Sequence, residues 1–497
     1  MDKPSKAKEL FFAGLGFFEQ GRYEDAKSAF NESNLLTPGR VSVLLNLTAS
    51  QIKLKEFEHC LHNAKLVTEI DPDNTDAWLN LGVVYDALGK HEEGLECVDT
   101  ALKLNRTLTS AIINRGQILF KIGREVEALE SFDEVSRNNP DNTSLHCVIA
   151  DFFHQIGNHE KAIGWYTRAI DIESEHADSH FGLSLSLLAL GLFKKGWEEY
   201  RWGWLNGKRK PLKIAPPIKD IMDPEELIGK SILVRGEQGI GDDIMFASAI
   251  QDASKICRNI SFHCREKLKK LFQRSFPENV LVLSPGDNVD YQSYEGEISI
   301  GDLCGLMRQD VQSFGVGTRY LFPDTSSTNL IRAQIKKEQT GGAKKICGVS
   351  WKTTAKSASQ RSIALLELIS ELNIHEQFDF VSLQYGDTAE EIKIVNRELG
   401  IKFLNVNQVD RFNDIDGLAS LISACDQVVS IDNSVAHLAG ALGAPTSLLL
   451  PQIPDWRWWQ SFVNCNWYAT VQCYRLNGHE GWPATIKRVE AQIKSIS

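Results

Sequence analysis

Glycine recurs at Gly21, Gly89, Gly123, Gly157 and Gly191. Every interval is 34 residues or a multiple of it, and the one position the period skips is occupied by Lys55. Pro38, Pro72 and Pro140 keep the same register. So do pairs of a small and a bulky residue: Ala26 with Phe30, Ala128 with Phe132, Ala162 with Tyr166, Gly196 with Tyr200. A period of this length restricts the chain to architectures in which one supersecondary unit stacks on the next. The residue types give that unit its form. A small residue permits close packing, a glycine permits a tight turn, and a proline ends a helix.

Trp78, Gly82 and Tyr85 complete the pattern in the third unit, and the whole resembles the tetratricopeptide repeat (TPR), a pair of antiparallel helices per 34 residues. Six units starting at residues 7, 41, 75, 109, 143 and 177 are predicted to cover 7–210. The second is the poorest match, with Thr48, Lys55, Cys60 and Ala64 at signature positions. The resemblance implies an α-helical superhelix whose concave face takes a protein or peptide. Residues 1–210 carry 24 Lys+Arg and 31 Asp+Glu, a net of −7, so a mildly acidic groove is expected.

The period stops after Gly207. Residues 211–227 read as a Pro- and Lys-rich linker. Beyond it, short apolar strands alternate with helical stretches. One series is Ile232–Val234, Ile260–Phe262, Val280–Leu283 and Ile298–Ile300. A second is Ile346–Ser350, Phe380–Leu383, Lys402–Leu404, Gln427–Ile431 and Thr446–Leu450. This alternation predicts α/β structure with parallel sheets. Gly341-Gly342 divides the two series, giving two Rossmann-like lobes, 228–335 and 343–497, with a cleft between them.

Composition narrows the class of partner. The 497 residues are 42% hydrophobic and 24% charged, a soluble globular balance, with a net charge of −11. No basic stretch offsets that charge, so no nucleic-acid partner is expected. The N-terminal MDKPSKAKEL has no apolar signal core, and no apolar run approaches the roughly 20 residues a membrane span needs. Ten cysteines without CxxC pairs read as reduced thiols in a cytoplasmic protein.

In open α/β sheets, ligands sit outside the carboxyl ends of the strands. Three segments fall there. Arg235-Gly-Glu-Gln-Gly-Ile-Gly-Asp-Asp places Gly239, Gly241 and Asp242 in a glycine-rich turn that opens a helix. Gly348-Val-Ser-Trp-Lys-Thr-Thr places Ser350, Trp351 and Lys352 after a strand, with Arg361 following and Gln384 and Tyr385 ending the next strand. Asp432, Asn433, Ser434 and His437 form a strand-to-helix turn whose backbone N–H groups and dipole suit a diphosphate. Asp414-Ile-Asp416 is a DxD string, but it directly precedes the apolar helix GLASLISA, where capping is the expected role. Trp456, Trp458 and Trp459 read as core or lobe-interface aromatics.

RGEQGIGDDIMFA (235–247), GVSWKTT with RSI (348–354, 361–363), LASLISACDQVVSIDNSVAHLAGALGAP (418–445) and PDWRWW with NWY (454–459, 466–468) resemble the glycosyltransferase group related to the lipopolysaccharide heptosyltransferases. They are most like its branch of TPR proteins. The resemblance implies the GT-B fold, with the nucleotide-sugar donor on the C-terminal lobe and the acceptor facing the N-terminal lobe. It implies an inverting, metal-independent transfer with no cofactor, the nucleotide-sugar being a substrate. It makes Asp242 the general base. The donor is then held by Ser350, Trp351, Lys352, Arg361, Gln384, Tyr385, Asp432, Asn433, Ser434 and His437. Asn433 stands where threonine is commoner in the family, and the loop 352–360 lacks an acidic residue many relatives have. By analogy with other TPR-linked transferases, the repeats would recruit a protein acceptor, a flagellin-like surface protein being one such. The alternatives are an inactive TPR scaffold and a transferase acting on a lipid or saccharide.

Overall fold

The computed structural model describes residues 2–210, 219–237, 239–314, 319–339, 344–353, 361–406, 408–459, 465–478 and 480–496. Two compact units divide the chain, Met1–Phe152 and Phe153–Ser497.

The first unit is a stack of helical hairpins: α1 (Lys3–Glu19) with α2 (Tyr23–Leu36), α3 (Val41–Lys53) with α4 (Phe57–Ile70), α5 (Thr75–Ala87) with α6 (His91–Leu104), and α7 (Thr109–Lys121) with α8 (Glu125–Asn138). Helix α9 (Thr143–Gln155) begins in this unit. In the hairpins α1/α2 and α7/α8 a helix-A glycine leaves room for a helix-B phenylalanine ring. A Cβ on Gly116 would stand 2.8 Å from Phe132 Cε1, so the ring needs bare backbone there.

The periodic glycines end helix A in the left-handed conformation, with φ of +73° at Gly21, +76° at Gly89 and +83° at Gly123. Lys55 adopts the same conformation, at φ +62°, with a Cβ that resists it. Left-handed backbone costs a non-glycine L-residue roughly 1–2 kcal/mol. Lys55→Gly is therefore expected to stabilise the first unit by about 1 kcal/mol once the extra unfolded-state freedom of glycine is counted. Calorimetry checks this, and a lower melting temperature would contradict it.

The second unit begins with the last repeats, α10 (His159–Ile172), α11 (Ala177–Ala189) and α12 (Phe193–Tyr200). Two sheets follow, and every strand pair in them is parallel. The first has the order β3-β2-β1-β4, from β1 (Ser231–Arg235), β2 (Asn259–His263), β3 (Val280–Leu283) and β4 (Gly296–Ser299). The second has the order β10-β9-β8-β5-β6-β7, from β5 (Lys345–Ser350), β6 (Phe378–Ser382), β7 (Phe403–Leu404), β8 (Gln427–Ile431), β9 (Thr446–Leu450) and β10 (Val471–Arg475). Strand order reverses between β1 and β4 in one sheet and between β5 and β8 in the other. Such switch points leave a crevice at the carboxyl ends of the strands.

The expected boundary at 210 does not coincide with the packing boundary at 152/153. The reason is aromatic packing. Phe193, Trp197 and Tyr200 of the last repeat share one core with Phe246, Phe314 and Trp456. The ring centroids of Trp197 and Trp456 are 5.7 Å apart, and Trp197 Nε1–H donates to the Arg308 carbonyl at 2.8 Å. Of the stretch read as a linker, 211–218 lies outside the described residues, and so does the dividing Gly341-Gly342. The rest of that linker is not loose. Ile221 N–H donates to the Glu297 carbonyl, and Glu297 N–H to the Lys219 carbonyl, both at 2.9 Å, which pins the segment along β4. Strand β10 is absent from the two series expected from the sequence. Val-Gln-Cys-Tyr-Arg at a sheet edge carries no continuous apolar run.

Candidate functional site

Helix α13 (Ile240–Phe246) starts in the turn after β1, and the helix Ser434–Ala441 starts in the turn after β8. The two pack together because Gly241 has no side chain. A Cβ there would lie 3.1 Å from His437 Cδ2. A cleft of about 480 Å³ opens beside this contact. Gly239, Gly241, Asp242, Arg361, Tyr385, Asp432, Asn433, Ser434 and His437, all expected site residues, line it. Thr353, Arg411, Asp455 and Arg457 complete the polar wall.

Asp242 is half-buried at the third position of α13. Its Oδ2 accepts from the Gly239 N–H at 3.0 Å. Its Oδ1 accepts from Arg457 Nε–H at 2.7 Å and lies 2.6 Å from Arg457 Nη2. Arg457 Nη1–H donates to Asp455 at 2.7 Å. Burial opposes the charge on Arg457, but Asp242 and Asp455 outweigh it and hold the guanidinium protonated. Burial likewise pushes the Asp455 carboxyl up, and Arg457 more than reverses that.

Across the cleft, Asp432 Oδ2 accepts from Arg361 Nη1–H and its Oδ1 from Trp458 Nε1–H, both at 2.7 Å. The buried Arg361 Nε makes no hydrogen bond among the described residues. Asn433 caps the helix, its Oδ1 accepting from Val435 N–H at 3.0 Å and Ala436 N–H at 3.4 Å. The N–H groups expected to be open to a diphosphate are thus partly taken by this cap.

The remaining expected residues stand behind the wall. Gln384 Oε1 accepts from the backbone N–H of Trp351 and of Lys352, each at 3.0 Å, and from Ser350 Oγ–H at 3.1 Å. Asn433 Nδ2–H donates to Ser350 Oγ at 2.8 Å. This web fixes Asn433, so Ser350 and Gln384 position the turn rather than line the cleft. Trp351 is fully buried in the core beneath the second sheet. Lys352, expected to meet a diphosphate, instead pairs with Glu391 and donates to the Asp387 carbonyl at 3.2 Å. Among the described residues the cleft's cations are Arg361, Arg411 and Arg457. Residues 354–360 of the loop 352–360 lie outside the described residues.

Asp414 caps its helix through the Gly417 N–H at 2.9 Å, and Asp416 pairs with both Nη groups of Arg274. The DxD string is thereby committed to structure. Trp456, Trp458 and Trp459 are buried and pack as core. The signal for Arg457 was the PDWRWW string, but its partner Asp242 lies 215 residues away.

His437 is buried, stacks on Trp458 at 4.6 Å and shares a 3.0 Å hydrogen bond with the Tyr468 hydroxyl. Burial lowers its pKa from 6.5 to about 4. Between those values the unfolded chain binds the proton and the folded chain does not. Stability is therefore complete above pH 6.5 and lost as pH falls towards 4, by about 3 kcal/mol for this group. His154, also lowered to about 4 by burial, acts in the same direction. The melting temperature is expected to fall between pH 7 and 5, and to fall less in His437→Gln. Equal falls would contradict the assignment.

Models of the tetratricopeptide repeat family match residues 64–96 and 113–176. The chain carries TPR repeats, followed by an α/β region of parallel sheets. It is similar to Protein FlbA of Caulobacter vibrioides, with 27% identity over 347 residues, 64% of this chain. The chain spans 55% of the length of FlbA. A CTR9 homolog of Arabidopsis thaliana is 29% identical over 106 residues, 20% of this chain and 10% of that protein. Among solved structures, a thermophilic TPR protein of Thermus thermophilus aligns with a TM-score of 0.33 and 20% identity, covering 37% of this chain and 99% of that one. No helix among the described residues is long and apolar enough to cross a membrane.

Proposed function

We propose that the chain is a glycosyltransferase of GT-B type that moves a sugar from a nucleotide-sugar to an acceptor hydroxyl on a protein bound by its repeats. The observation that carries this reading is the convergence of Asp242 and the Asp432–His437 turn on one cleft at the carboxyl ends of two parallel sheets. The second lobe takes the donor. Arg361, on the cleft wall, and the start of the helix Ser434–Ala441 meet the diphosphate, whose charge the acidic chain as a whole would not attract. Asp242, on the first lobe, removes the proton of the incoming hydroxyl. Direct displacement then inverts the anomeric centre.

A protein acceptor is favoured by one repeat position. Asn46, Asn80 and Asn114 recur 34 residues apart on α3, α5 and α7, and all are half-buried. Asn46 and Asn114 each spend one Nδ2–H on a serine carbonyl one turn back, at 2.8 Å. The second N–H and the oxygen of such an amide match the acceptor and donor of a peptide unit. A flagellin-like surface protein is one acceptor to try.

The test is a thermal-shift screen of the full chain against UDP-, GDP-, ADP- and CMP-sugars. A ligand at a hundred times its Kd stabilises the folded state by about 2.7 kcal/mol. A rise with one nucleotide supports the reading, and no rise with any of them turns the domain into a scaffold.

A further inference from the structure

Resting on the transferase reading, we propose that Arg457 is a positioning residue for Asp242, and that it leaves Oδ2 as the atom that takes the acceptor's proton. A carboxylate has about four lone-pair sites, two on each oxygen. Arg457 Nε–H donates to Oδ1 at 2.7 Å, and Arg457 Nη2 lies 2.6 Å from the same oxygen. On Oδ2, the Gly239 N–H takes one site at 3.0 Å. Among the described residues no donor takes the other site on Oδ2, which leaves it to a hydroxyl in the cleft.

Arg457 is suited to fix a partner because it is itself fixed. Asp455 accepts its Nη1–H at 2.7 Å and its backbone N–H at 3.1 Å. Its guanidinium lies 4.6 Å from the ring centre of Trp456, and its carbonyl accepts from Trp467 Nε1–H at 2.9 Å. It follows β9 of the second sheet, whereas Asp242 follows β1 of the first. The base on one lobe is thus aimed by a cation on the other.

The acceptor O–H bond breaks and its proton passes to Asp242 Oδ2. The electron pair left on that oxygen forms the bond to the anomeric carbon. The bond from that carbon to the diphosphate oxygen breaks, and its electron pair leaves with the diphosphate.

The test compares full-length wild type, Arg457→Gln, Arg457→Lys and Asp242→Asn. The probe is whichever UDP-, GDP- or ADP-sugar raises the melting temperature. Nucleotide release gives kcat, and titration with the corresponding nucleoside diphosphate gives Kd. Expected are a kcat at least 30-fold lower in Arg457→Gln, a Kd within threefold of wild type, and recovery to within tenfold of wild type in Arg457→Lys. A Kd raised tenfold or more with kcat unchanged would assign Arg457 to the donor phosphates and overturn the proposal. So would a lowered kcat that lysine does not recover, which marks a purely structural role. An Asp242→Asn variant as active as wild type removes the base itself, and with it the transferase mechanism, whatever Arg457→Gln does.

Discussion

Arg209→Met is expected to destabilise the second unit by about 3–5 kcal/mol, the cost of stripping one partner from a buried ion network. The Arg209 and Glu237 side chains are completely buried. Arg209 Nη2–H and Nε–H donate to Glu237 at 2.6 and 2.9 Å, and Nη1–H donates to Asp302 at 2.8 Å. Glu237 also accepts from the Gly301 N–H at 2.8 Å. Burial pushes the Glu237 carboxyl up and Arg209 opposes it. Without the arginine, Glu237 is left as an uncompensated buried carboxylate. An acid raised in the fold stabilises at low pH and loses that contribution as pH rises, so the variant is expected to recover part of its loss on acidification. Arg209→Met/Glu237→Gln should be more stable than Arg209→Met alone, because the amide buries no charge. Denaturant melts of the three proteins check both points, and a double variant no better than the single one would contradict the network. The consequence reaches the cleft. Glu237 sits in the glycine-rich turn that leads to Asp242, and its N–H donates to Asp243 at 3.0 Å.

On the proposed transferase reading, Asp242→Asn carries the second large effect. A general base contributes about 10²–10⁴ to a rate. The asparagine keeps the size and the Gly239 contact but cannot take a proton. Arg457 keeps Asp455 in this variant, so the fold is expected to survive. Nucleotide release from the donor should fall about a thousandfold, with nucleotide affinity within about threefold of wild type. Turnover close to wild type would remove Asp242 from the chemistry.

The repeats were legible because each one states its own geometry locally, in a turn glycine and a small–bulky pair within one hairpin. Gly116 and Phe132 need only each other. The strands were legible because buried parallel strands are short apolar runs, as in Ile232–Val234. Those same rules missed β10, whose edge position permits a mixed sequence. The cleft was legible at strand ends, where chain topology alone places Asp242 and Asp432. Pairings set by tertiary packing were not. Nothing near Lys352 announces that Glu391 will take its charge, and nothing near Asp242 announces Arg457. The merger of the last repeat with the α/β core was hidden for the same reason. Trp197 reads as a repeat aromatic until its contacts with Trp456 and the Arg308 carbonyl are known.

On the proposed transferase reading, the cleft is expected to hold a nucleoside diphosphate against Arg361 and the helix Ser434–Ala441. Isothermal titration of the full chain with UDP, GDP and ADP tests this most directly, with Arg361→Met titrated in parallel. A hydrogen bond to a charged group is worth about 1.5–3 kcal/mol, or about 10- to 100-fold in affinity. The expected result is binding of one nucleotide at a single site, weakened at least tenfold by Arg361→Met. Binding of none of the three, or binding that Arg361→Met leaves unchanged, would contradict it.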